Sequence, residues 1–574
     1  MKKRENIVIM VVLVVMVIAI VGVSYAAFSY NREGSINSIT TGAITMTYKE
    51  TDNTISLTGA LPTTDKTGMV RLNPGEYFDF SISSEITGDV NINYEISAKD
   101  ITVLSGDQKK IDGKYIKLYL TKLNGDSEEG LMVPETYNEE TSENTYTGRP
   151  ANEMSLYTSS MNSSESNNYR LRMYVDESYN PQGDGGGLTF TVKINVYGKA
   201  GDKYVPLTTQ KILEDNELQE EKTNMFNYAS NGSYIASITE EGPQYGSEPS
   251  QVTNGLYSMN DEDGVSYYYR GAVENNNVQF GEYTEDYYVY GDGAIYYQSL
   301  ENCKEANMGY EDGCTQVKLA SAGDKMYWKI VRVNGDGSLR LIYNGTSATP
   351  DNSDLAHSYS VGNTFYNLEP DNPKYAGYTY DNGTDSFIKR EVDTWYKNAL
   401  GSSIYDSKVS SGRFCSDSSG YREETMMGGS VFASFDRLAS VFGKLMGLEM
   451  QENVTPTLKC PTTSESYGGS YRLKAGLITA DELVLAGESF GGVISNSYLT
   501  AGDNEFLWYW SMTPSSEDGG YENMVRVYYE NAFLANLGAF NSSLSLRPVI
   551  NVTTENGFTS GDGSVENPYI LNAE

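Results

Sequence analysis

Residues 190–196 read Phe-Thr-Val-Lys-Ile-Asn-Val, and every second side chain in this stretch is apolar. Strict alternation places the apolar side chains on one face of a β-strand and the polar ones on the other. Five more segments upstream share this period of two, namely 44–48, 78–82, 92–96, 116–120 and 171–175. Turn-forming residues such as 183–187 separate them. Half-buried strands with polar outer faces predict an antiparallel β-sandwich over residues 27–200.

The composition of the whole chain also favours a mainly β fold. The 574 residues include 47 Tyr and 56 Gly, which suit pleated strands and the turns between them. The net charge is −35, from 77 acidic against 42 basic residues, so nucleic acid is excluded as a partner and anionic lipid is disfavoured. This charge indicates a solvated acidic surface or, alternatively, a role in cation binding.

The N-terminus carries the pattern of an export signal. Lys2, Lys3 and Arg4 precede an unbroken apolar run over residues 7–23, and small residues follow it. One reading is a signal peptide, residues 1–26, cleaved between Ala26 and Ala27. The other is an uncleaved signal-anchor helix that holds the protein to the cell membrane through residues 7–28. Both predict that the remainder of the chain is extracytoplasmic.

Four cysteines in such a compartment are expected to form disulfides. Three pairings are possible, and the spacing favours Cys303 with Cys314 and Cys415 with Cys460. Reactive or metal-binding thiols are disfavoured because the chain has no CxxC motif and no histidine near a cysteine. The chain has a single histidine, His357, so it lacks the histidines that most zinc sites and histidine-based acid–base mechanisms require.

Residues 201–251 are predicted to be an acidic linker with a short helix near 208–222. Residues 252–574 are predicted to be a β-rich α+β domain with a few helices. Two alternating runs, 327–333 and 339–343, flank an Asn-Gly-Asp-Gly turn and predict a hairpin. Calcium binding by this loop is the alternative, although the final Glu of a calcium loop is absent. Helices are indicated by apolar stripes or a capping box over three segments, 385–396, 438–445 and 479–487.

Aromatic residues near the C-terminus are the candidates for a binding surface. Trp508, Trp510, Tyr528 and Tyr529 lie among Asn and Asp residues, a mixture that suits sugars or protein partners. The alternative is that the tryptophans belong to the core. No catalytic residue, cofactor or metal site is predicted, since one histidine cannot fill two roles in a triad.

Residues 25–29, 40–44 and 73–76 resemble the TasA/camelysin family, whose members begin at an Ala-Phe pair followed by a Thr-x-Gly-x-Ile strand. This resemblance implies a jelly-roll β-sandwich, export, and a role in biofilm fibres or at the cell surface. It also implies strand donation between subunits, for which a free strand over 36–47 is a candidate. Alternatively, that strand completes its own sheet. Without an HExxH motif, the peptidase activity described for camelysin relatives is not expected here.

Residues 508–514, 546–551 and 561–569 are similar to an uncharacterised surface domain of Firmicutes and Mollicutes. Similar patterning occurs in C-type-lectin-like folds, including formylglycine-generating oxidases, which is an analogy of fold alone. Together these features predict a non-enzymatic, exported surface or extracellular-matrix protein with assembly and display roles. Its expected partners are copies of itself, other surface proteins, glycans, and the membrane through the N-terminal segment. The alternatives are an adhesin for carbohydrate or protein and, less favoured, a secreted metallopeptidase or oxidase.

Overall fold

The computed structural model describes most of the chain between residues 36 and 571. The longer stretches outside the description are 1–35, 87–90, 181–187, 227–234, 246–253, 350–358, 369–376, 379–383, 418–421, 424–429, 439–453, 461–469, 491–496, 500–507, 529–532 and 539–542. Shorter gaps are 42–43, 51–53, 59, 74–75, 107, 126, 162, 202–204, 222–224, 240–241, 293–294, 311, 432, 519–520, 554–556 and 572–574. The predicted N-terminal helix, its cleavage site at Ala26 and Ala27, and His357 therefore lie outside the described residues.

The chain divides into two compact units, Met1–Val205 and Pro206–Glu574, and both are mainly β. The strands of unit 1 are β1 Ile36–Thr41, β2 Ile44–Glu50, β3 Thr54–Thr58, β4 Pro62–Thr63, β5 Tyr77–Ile86, β6 Asn91–Asp100, β7 Lys109–Lys110, β8 Ile116–Asn124, β9 Ser127–Gly130, β10 Glu135–Thr136, β11 Met154–Met161, β12 Glu165–Asp176 and β13 Leu188–Gly201. Its described helix is α1, Asp65–Gly68.

The strands of unit 2 are β14 Ile235–Thr239, β15 Gly242–Tyr245, β16 Gly255–Asn260, β17 Val265–Arg270, β18 Asn277–Glu282, β19 Tyr287–Gly291, β20 Tyr296–Tyr297, β21 Thr315–Ala320, β22 Lys325–Val333, β23 Leu339–Tyr343, β24 Asn363–Phe365, β25 Val409–Ser410, β26 Gly412–Cys415, β27 Arg422–Glu423, β28 Ser430–Val431, β29 Ser470–Leu473, β30 Ala475–Gly476, β31 Ser489–Phe490, β32 Tyr509–Asp518, β33 Tyr521–Tyr528, β34 Phe533–Gly538, β35 Ser543–Ser545, β36 Val549–Val552 and β37 Tyr569–Ile570. Its helices are α2 Leu207–Asp215, α3 Leu300–Ala306, α4 Phe387–Ala399, α5 Ala433–Leu438 and α6 Ala480–Ala486.

Unit 1 is a β-sandwich of two mainly antiparallel sheets. One sheet has the order β1-β2-β5-β12-β8-β10, and the other has the order β11-β6-β13-β3. Their inner faces share one apolar core, and Tyr94 and Tyr169 join across it through a hydrogen bond of 2.7 Å between their hydroxyls. The predicted alternation is confirmed, because the apolar positions of 78–82, 92–96, 116–120, 171–175 and 190–196 are buried.

The segment over 36–47 forms two strands of a hairpin instead of one free strand. β1 pairs with β2, from Ile36 opposite Lys49 to Thr41 opposite Ile44, and β2 pairs in turn with β5. This segment thus completes its own sheet. Among the described residues, β1 has no strand on its other side, which makes it an edge of the sandwich.

Unit 1 buries a polar cluster where residues 138–153 cover the outer face of β6 and β13. The Glu95 carboxylate accepts from Arg149 Nε and Thr147 Oγ1, both at 2.6 Å. The Glu153 carboxylate accepts from the Ser97 hydroxyl at 2.6 Å and from the Tyr197 hydroxyl at 2.9 Å. These bonds fix the covering segment to the sheet, because buried polar groups must find partners.

The boundary between the units revises the extent of the predicted linker 201–251. Helix α2 falls within that range, yet Ile212 on this helix is fully buried in the core of unit 2. Met225 is likewise buried against Tyr257 and Tyr268. An apolar side chain at these positions is removed from water by packing, so these residues belong to unit 2 and are not a solvated spacer.

Unit 2 contains two large sheets. The first has the order β16-β17-β22-β23-β36-β25, and the second has the order β24-β35-β32-β33-β34-β31. A single apolar cluster includes Trp328, Trp395 and Trp510, which are all fully buried. Strand β36 lies between β23 and β25, so the C-terminal part of the chain contributes an inner strand to the first sheet.

Several local predictions for this unit are confirmed. The hairpin joins β22 to β23, and Asp336 Oδ1 closes its turn by accepting from the Ser338 backbone N–H and hydroxyl at 2.9 and 2.6 Å. Ser386 caps α4, and Thr479 forms the capping box of α6. Helix α5 ends at Leu438, and the rest of the predicted stripe over 441–445 lies outside the described residues.

Across the part of the chain that the structure describes, every helix is too short or too polar to cross a bilayer.

Candidate functional sites

The four cysteines form two disulfides. Cys303 pairs with Cys314 and Cys415 with Cys460, at Cα–Cα distances of 5.9 and 5.6 Å. This confirms the predicted pairing and leaves no free thiol. Both bridges belong to unit 2, and disulfides of this kind indicate folding in an oxidising environment.

The predicted aromatic binding surface is wrong for Trp510. Its ring is fully buried, and its Nε1–H donates to the Thr364 carbonyl at 2.9 Å. Trp508 is half-buried and packs against the same core. The alternative, that the tryptophans serve the core, is therefore correct for Trp510, since Tyr509 and Trp510 point to opposite faces of β32 and both are fully buried. The side chain of Tyr528, on β33, and the whole of Tyr529 lie outside the described residues.

A small cavity in unit 2 is the candidate site that the structure supplies. Its volume is about 30 Å³. Strands β22, β23 and β26, helices α5 and α6, and the segment 457–460 contribute its walls. The lining residues are Arg332, Arg340, Arg413, Cys415, Arg437, Thr457, Leu458, Lys459, Cys460, Thr479, Asp481 and Glu482.

Arg332 is held from the turn that joins β16 to β17. Its Nη1–H donates to Asp261 Oδ2 at 2.9 Å and to the Ser266 hydroxyl at 3.3 Å. The other oxygen of Asp261 accepts from the backbone N–H groups of Asp263 and Gly264, at 2.9 and 3.0 Å. The Asp261 carboxylate thus stabilises its own turn and also orients the Arg332 guanidinium at the wall of the cavity.

Glu482 is shared by two arginines. Its Oε1 accepts from Arg332 Nε at 3.0 Å and also pairs with Arg340, while its Oε2 accepts from the Thr479 backbone N–H at 3.0 Å. Burial alone would raise the pKa of Glu482, but the charges of Arg340 and Arg332 outweigh burial and hold its pKa below the usual value. The residue is therefore an ionised carboxylate that two guanidinium groups compete for.

Arg437 on α5 has two carboxylates of its own. Its Nη2 and Nε donate to the two oxygens of Asp481 at 2.6 and 3.2 Å, and its Nη1 pairs with Asp417. Asp481 Oδ1 also accepts from the Thr457 backbone N–H at 2.8 Å. This bidentate arrangement positions the segment 457–460 against α6.

Arg340 and Arg413 are neighbours at the wall. Arg340 Nη1–H donates to the Arg413 carbonyl at 3.1 Å, and its guanidinium lies 4.2 Å from the centroid of the Phe414 ring. Arg413 Nε lies 3.7 Å from Glu262 Oε2, and the other oxygen of Glu262 accepts from the Cys460 backbone N–H. The Cys415–Cys460 disulfide therefore lies in the same wall of the cavity as these charged side chains.

Asp263 and Arg472 lie beside this network. Arg472 Nη2 is 3.8 Å from Asp263 Oδ2, and burial raises the pKa of Asp263 to about 6 in spite of that arginine. The charge of this part of the network therefore changes in mildly acidic solution.

The wall of the cavity carries five cationic side chains and two carboxylates. Asp261, Glu262 and Asp417 pair with three of these cations but do not line the cavity, so the groups that face it are mainly cationic and suit an anion. Among the described residues, no group of three or more His, Cys, Asp or Glu is arranged to hold a metal ion.

Sequence patterns did not identify this site, because its residues come from distant segments. One signal was available: Arg332 and Arg340 each interrupt an apolar strand, between Val331 and Val333 and between Leu339 and Leu341. A charge in the middle of such a strand is expected to have a buried partner. The sequence does not tell which partner.

No family model, curated protein or solved structure matches this chain.

Proposed function

We propose that the protein is an exported bacterial surface or extracellular-matrix protein, without catalytic activity, in which unit 1 assembles and unit 2 displays. The observation that carries the assembly role is the edge strand β1. It contains no charged residue and no proline, and no strand covers its outer side among the described residues. Natural sandwiches usually protect such edges with charge, proline or a bulge, and an edge left open is a template for pairing with another chain.

Export is supported by two independent features. The basic residues Lys2, Lys3 and Arg4 followed by the apolar run 7–23 have the composition of a signal peptide or anchor. The two disulfides of unit 2 suit an extracytoplasmic compartment. Whether the segment is cleaved after Ala26 or retained as an anchor over 7–28 distinguishes a matrix protein from a membrane-anchored one.

The resemblances found in the sequence fit this proposal and remain part of it. The sandwich of unit 1 is the class of fold that a jelly-roll of the TasA/camelysin type requires, and unit 2 is the counterpart of the Firmicutes and Mollicutes surface domain. A C-type-lectin-like fold for unit 2 is proposed on the same grounds. The peptidase and oxidase alternatives are not favoured, since all four cysteines are in disulfides and oxidases of that kind need reactive thiols.

An adhesin is the second candidate function, and the cationic cavity of unit 2 favours it. An adhesin needs a defined ligand site in its distal unit, and the cavity is a concave site with fixed charged groups. In that case unit 1 serves as a stalk, and binding of a glycan or protein proceeds without fibre formation.

Expression of the tagged full chain in a Gram-positive host tests the export part of the proposal. The N-terminal residue and the cellular fraction of the product are determined by mass spectrometry and fractionation. A mature start at Ala27 in the medium supports matrix export, and an intact N-terminus in the membrane fraction supports the anchored form. A full-length product in the cytosol with four reduced thiols contradicts the proposal.

A proline in β1 tests the assembly part. Thr41 lies opposite Ile44, only two residues further along the chain, and the first pair of so short a hairpin is hydrogen-bonded. Alternation along β1 then directs the N–H of Ser38 away from β2. Ser38→Pro therefore removes an outward donor and spares the β1–β2 ladder. We expect it to slow assembly of the secreted product about tenfold in light scattering, whereas the control Ser38→Ala assembles like the wild type. If both variants assembled at the same rate, the outer edge of β1 would have no role in assembly.

A further inference from the structure

We propose that the cavity of unit 2 is a binding site for one oxyanion group of sulfate or phosphate size. The site is defined by Arg332, Arg340, Arg413, Arg437 and Lys459, which we call the arginine cavity. This inference goes beyond the surface role proposed above and does not depend on export or on assembly by unit 1, because it concerns contacts within unit 2 alone.

The distribution of charge is the first argument. The chain has 77 acidic and only 42 basic residues, yet five of its cations line one small cavity together with two carboxylates. Three of the carboxylates that pair with these cations, Asp261, Glu262 and Asp417, do not line the cavity, so the charge that faces it is mainly positive and suits an anion.

The unequal pairing of these cations is the second argument. Arg437 contacts two carboxylates, Asp417 and Asp481, and is fully compensated. Arg340 has only a share of Glu482, which also pairs with Arg332, although its side chain is 1% exposed. A buried guanidinium that shares its counter-charge gains from a further anion.

Two further observations agree with that imbalance. Burial lowers the pKa of Arg340 to about 10, which is the direction expected for a cation that lacks sufficient counter-charge. Lys459 is exposed, lines the cavity, and has no carboxylate within ion-pair distance among the described residues. The cavity therefore offers an anion both a buried guanidinium and an exposed ammonium group.

The size of the cavity limits the ligand. Its volume of about 30 Å³ exceeds the roughly 10–15 Å³ that one water molecule requires. A compact charged group such as sulfate or phosphate is therefore the size of ligand that we assign to the cavity. The ligand is thus either a free oxyanion or the charged substituent of an extracellular polymer whose backbone stays outside, next to Lys459.

The walls are rigid before any ligand arrives. The Cys415–Cys460 disulfide closes one side, the Phe414 ring supports Arg340, and Asp261 fixes Arg332. Donors that are held in place in the absence of ligand lose little conformational entropy on binding, which favours binding of a small group.

The test measures binding to the purified full chain at constant ionic strength. Sodium sulfate and sodium phosphate are titrated against sodium chloride, with the melting temperature and calorimetry as readouts. We expect saturable stabilisation by sulfate or phosphate that chloride does not reproduce. Lys459→Gln changes an exposed side chain and is expected to weaken binding roughly fivefold. The matched control is Arg390→Gln, which removes an exposed arginine of unit 2 that pairs with Glu305 and should leave binding unchanged.

Arg340→Gln is expected to abolish binding, and circular dichroism establishes whether this variant folds. If it does not fold, Lys459→Gln and Arg413→Gln, whose side chains are less buried, decide the question. Sulfate that stabilises no more than chloride, or equal binding by Lys459→Gln and Arg390→Gln, would overturn the proposal.

A second arm identifies the source of the oxyanion. Dextran sulfate and unsulfated dextran are compared with the free ions on the same variants. Tighter binding of dextran sulfate than of sulfate, weakened by Lys459→Gln, supports a polymer substituent. Binding of the free ions alone supports a small solute as the ligand. Binding of dextran sulfate that is insensitive to Lys459→Gln, without binding of free ions, contradicts the arginine cavity as the site.

Discussion

The two units bury charge in different ways. In unit 1 the fully buried ion pair Glu95–Arg149 attaches a covering segment to one sheet, while the carboxylate that two arginines share, Glu128, is 30% exposed. In unit 2, Glu482 connects Arg332 and Arg340 between two strands and a helix, and a disulfide adjoins the same wall. The shared carboxylate of unit 1 is thus partly solvated, whereas that of unit 2 is only 3% exposed and depends on its two arginines in place of water.

This difference has a practical consequence for measurement. The chain has four tryptophans, and all of them, at positions 328, 395, 508 and 510, belong to unit 2. Intrinsic tryptophan fluorescence during urea unfolding therefore follows unit 2 alone. Hydrogen exchange, resolved by peptide, follows unit 1. The expected effects below are ordered from the largest to the smallest.

Glu482→Gln is expected to cause the largest loss of stability in unit 2 relative to unit 1. The amide keeps the size of the side chain but removes the negative charge that Arg332 and Arg340 share, and it leaves two buried cations without it. Loss of one partner of a buried ion pair costs about 3–5 kcal/mol, so we expect unit 2 to lose up to that amount in tryptophan-detected unfolding. Hydrogen exchange in peptides from unit 1 should stay at the wild-type level.

Glu305→Gln is the matched control for this variant. It removes the carboxylate of an exposed pair with Arg390, and such pairs contribute about 1 kcal/mol or less. If Glu482→Gln destabilised unit 2 no more than Glu305→Gln does, the network would not be the difference between the units.

Removal of either disulfide is expected to have the next largest effect on the stability of unit 2 relative to unit 1. The bridges close loops of sequence separation 45 and 11. The chain-entropy relation then gives a loss of about 4 kcal/mol for Cys415→Ala with Cys460→Ala, and of about 3 kcal/mol for Cys303→Ala with Cys314→Ala. Both double variants should leave exchange in unit 1 at the wild-type level. A larger loss from the shorter bridge would show that local packing outweighs loop closure.

The smallest expected effect is the pH dependence of the stability of unit 2. Glu391 on α4 is fully buried and accepts from the Gln298 backbone N–H at 2.9 Å, and burial raises its pKa to about 8. The unfolded carboxyl ionises near pH 4.3, whereas the folded one stays protonated up to about pH 8. Ionisation therefore favours the unfolded state, and stability falls as pH rises between these values.

Glu391→Gln removes this dependence because its side chain is neutral at every pH. We expect its stability relative to the wild type to rise between pH 5 and pH 7, by about 2–3 kcal/mol in tryptophan-detected unfolding. Glu301→Gln, an exposed change on α3, should keep the wild-type profile. A constant difference between Glu391→Gln and the wild type over this range would contradict a buried, protonated Glu391.

The sequence predicted unit 1 better than unit 2, and the reason is physical. Alternation in 190–196 specifies which face of a strand is buried without reference to its partner. For Trp510, the same alternation was compatible with a surface or a core position, because the face of β32 that meets solvent depends on what packs against it. The extent of the linker was overestimated for a similar reason: α2 ends in acidic residues, yet its Ile212 is buried in the core of unit 2.

By itself, the sequence determined the mainly β class, the faces of the strands in unit 1 and the capped helix α6, and it favoured one of three disulfide pairings. The class, the faces and the cap are properties of short segments that local chemistry is sufficient to specify, whereas the structure decided the pairing. Only the tertiary structure decided that Arg332, Arg340, Arg413 and Arg437 meet at one cavity with Glu482. Their convergence depends on the order of strands in the sheets and on long-range packing, and no local pattern encodes the distance between side chains that lie far apart along the chain.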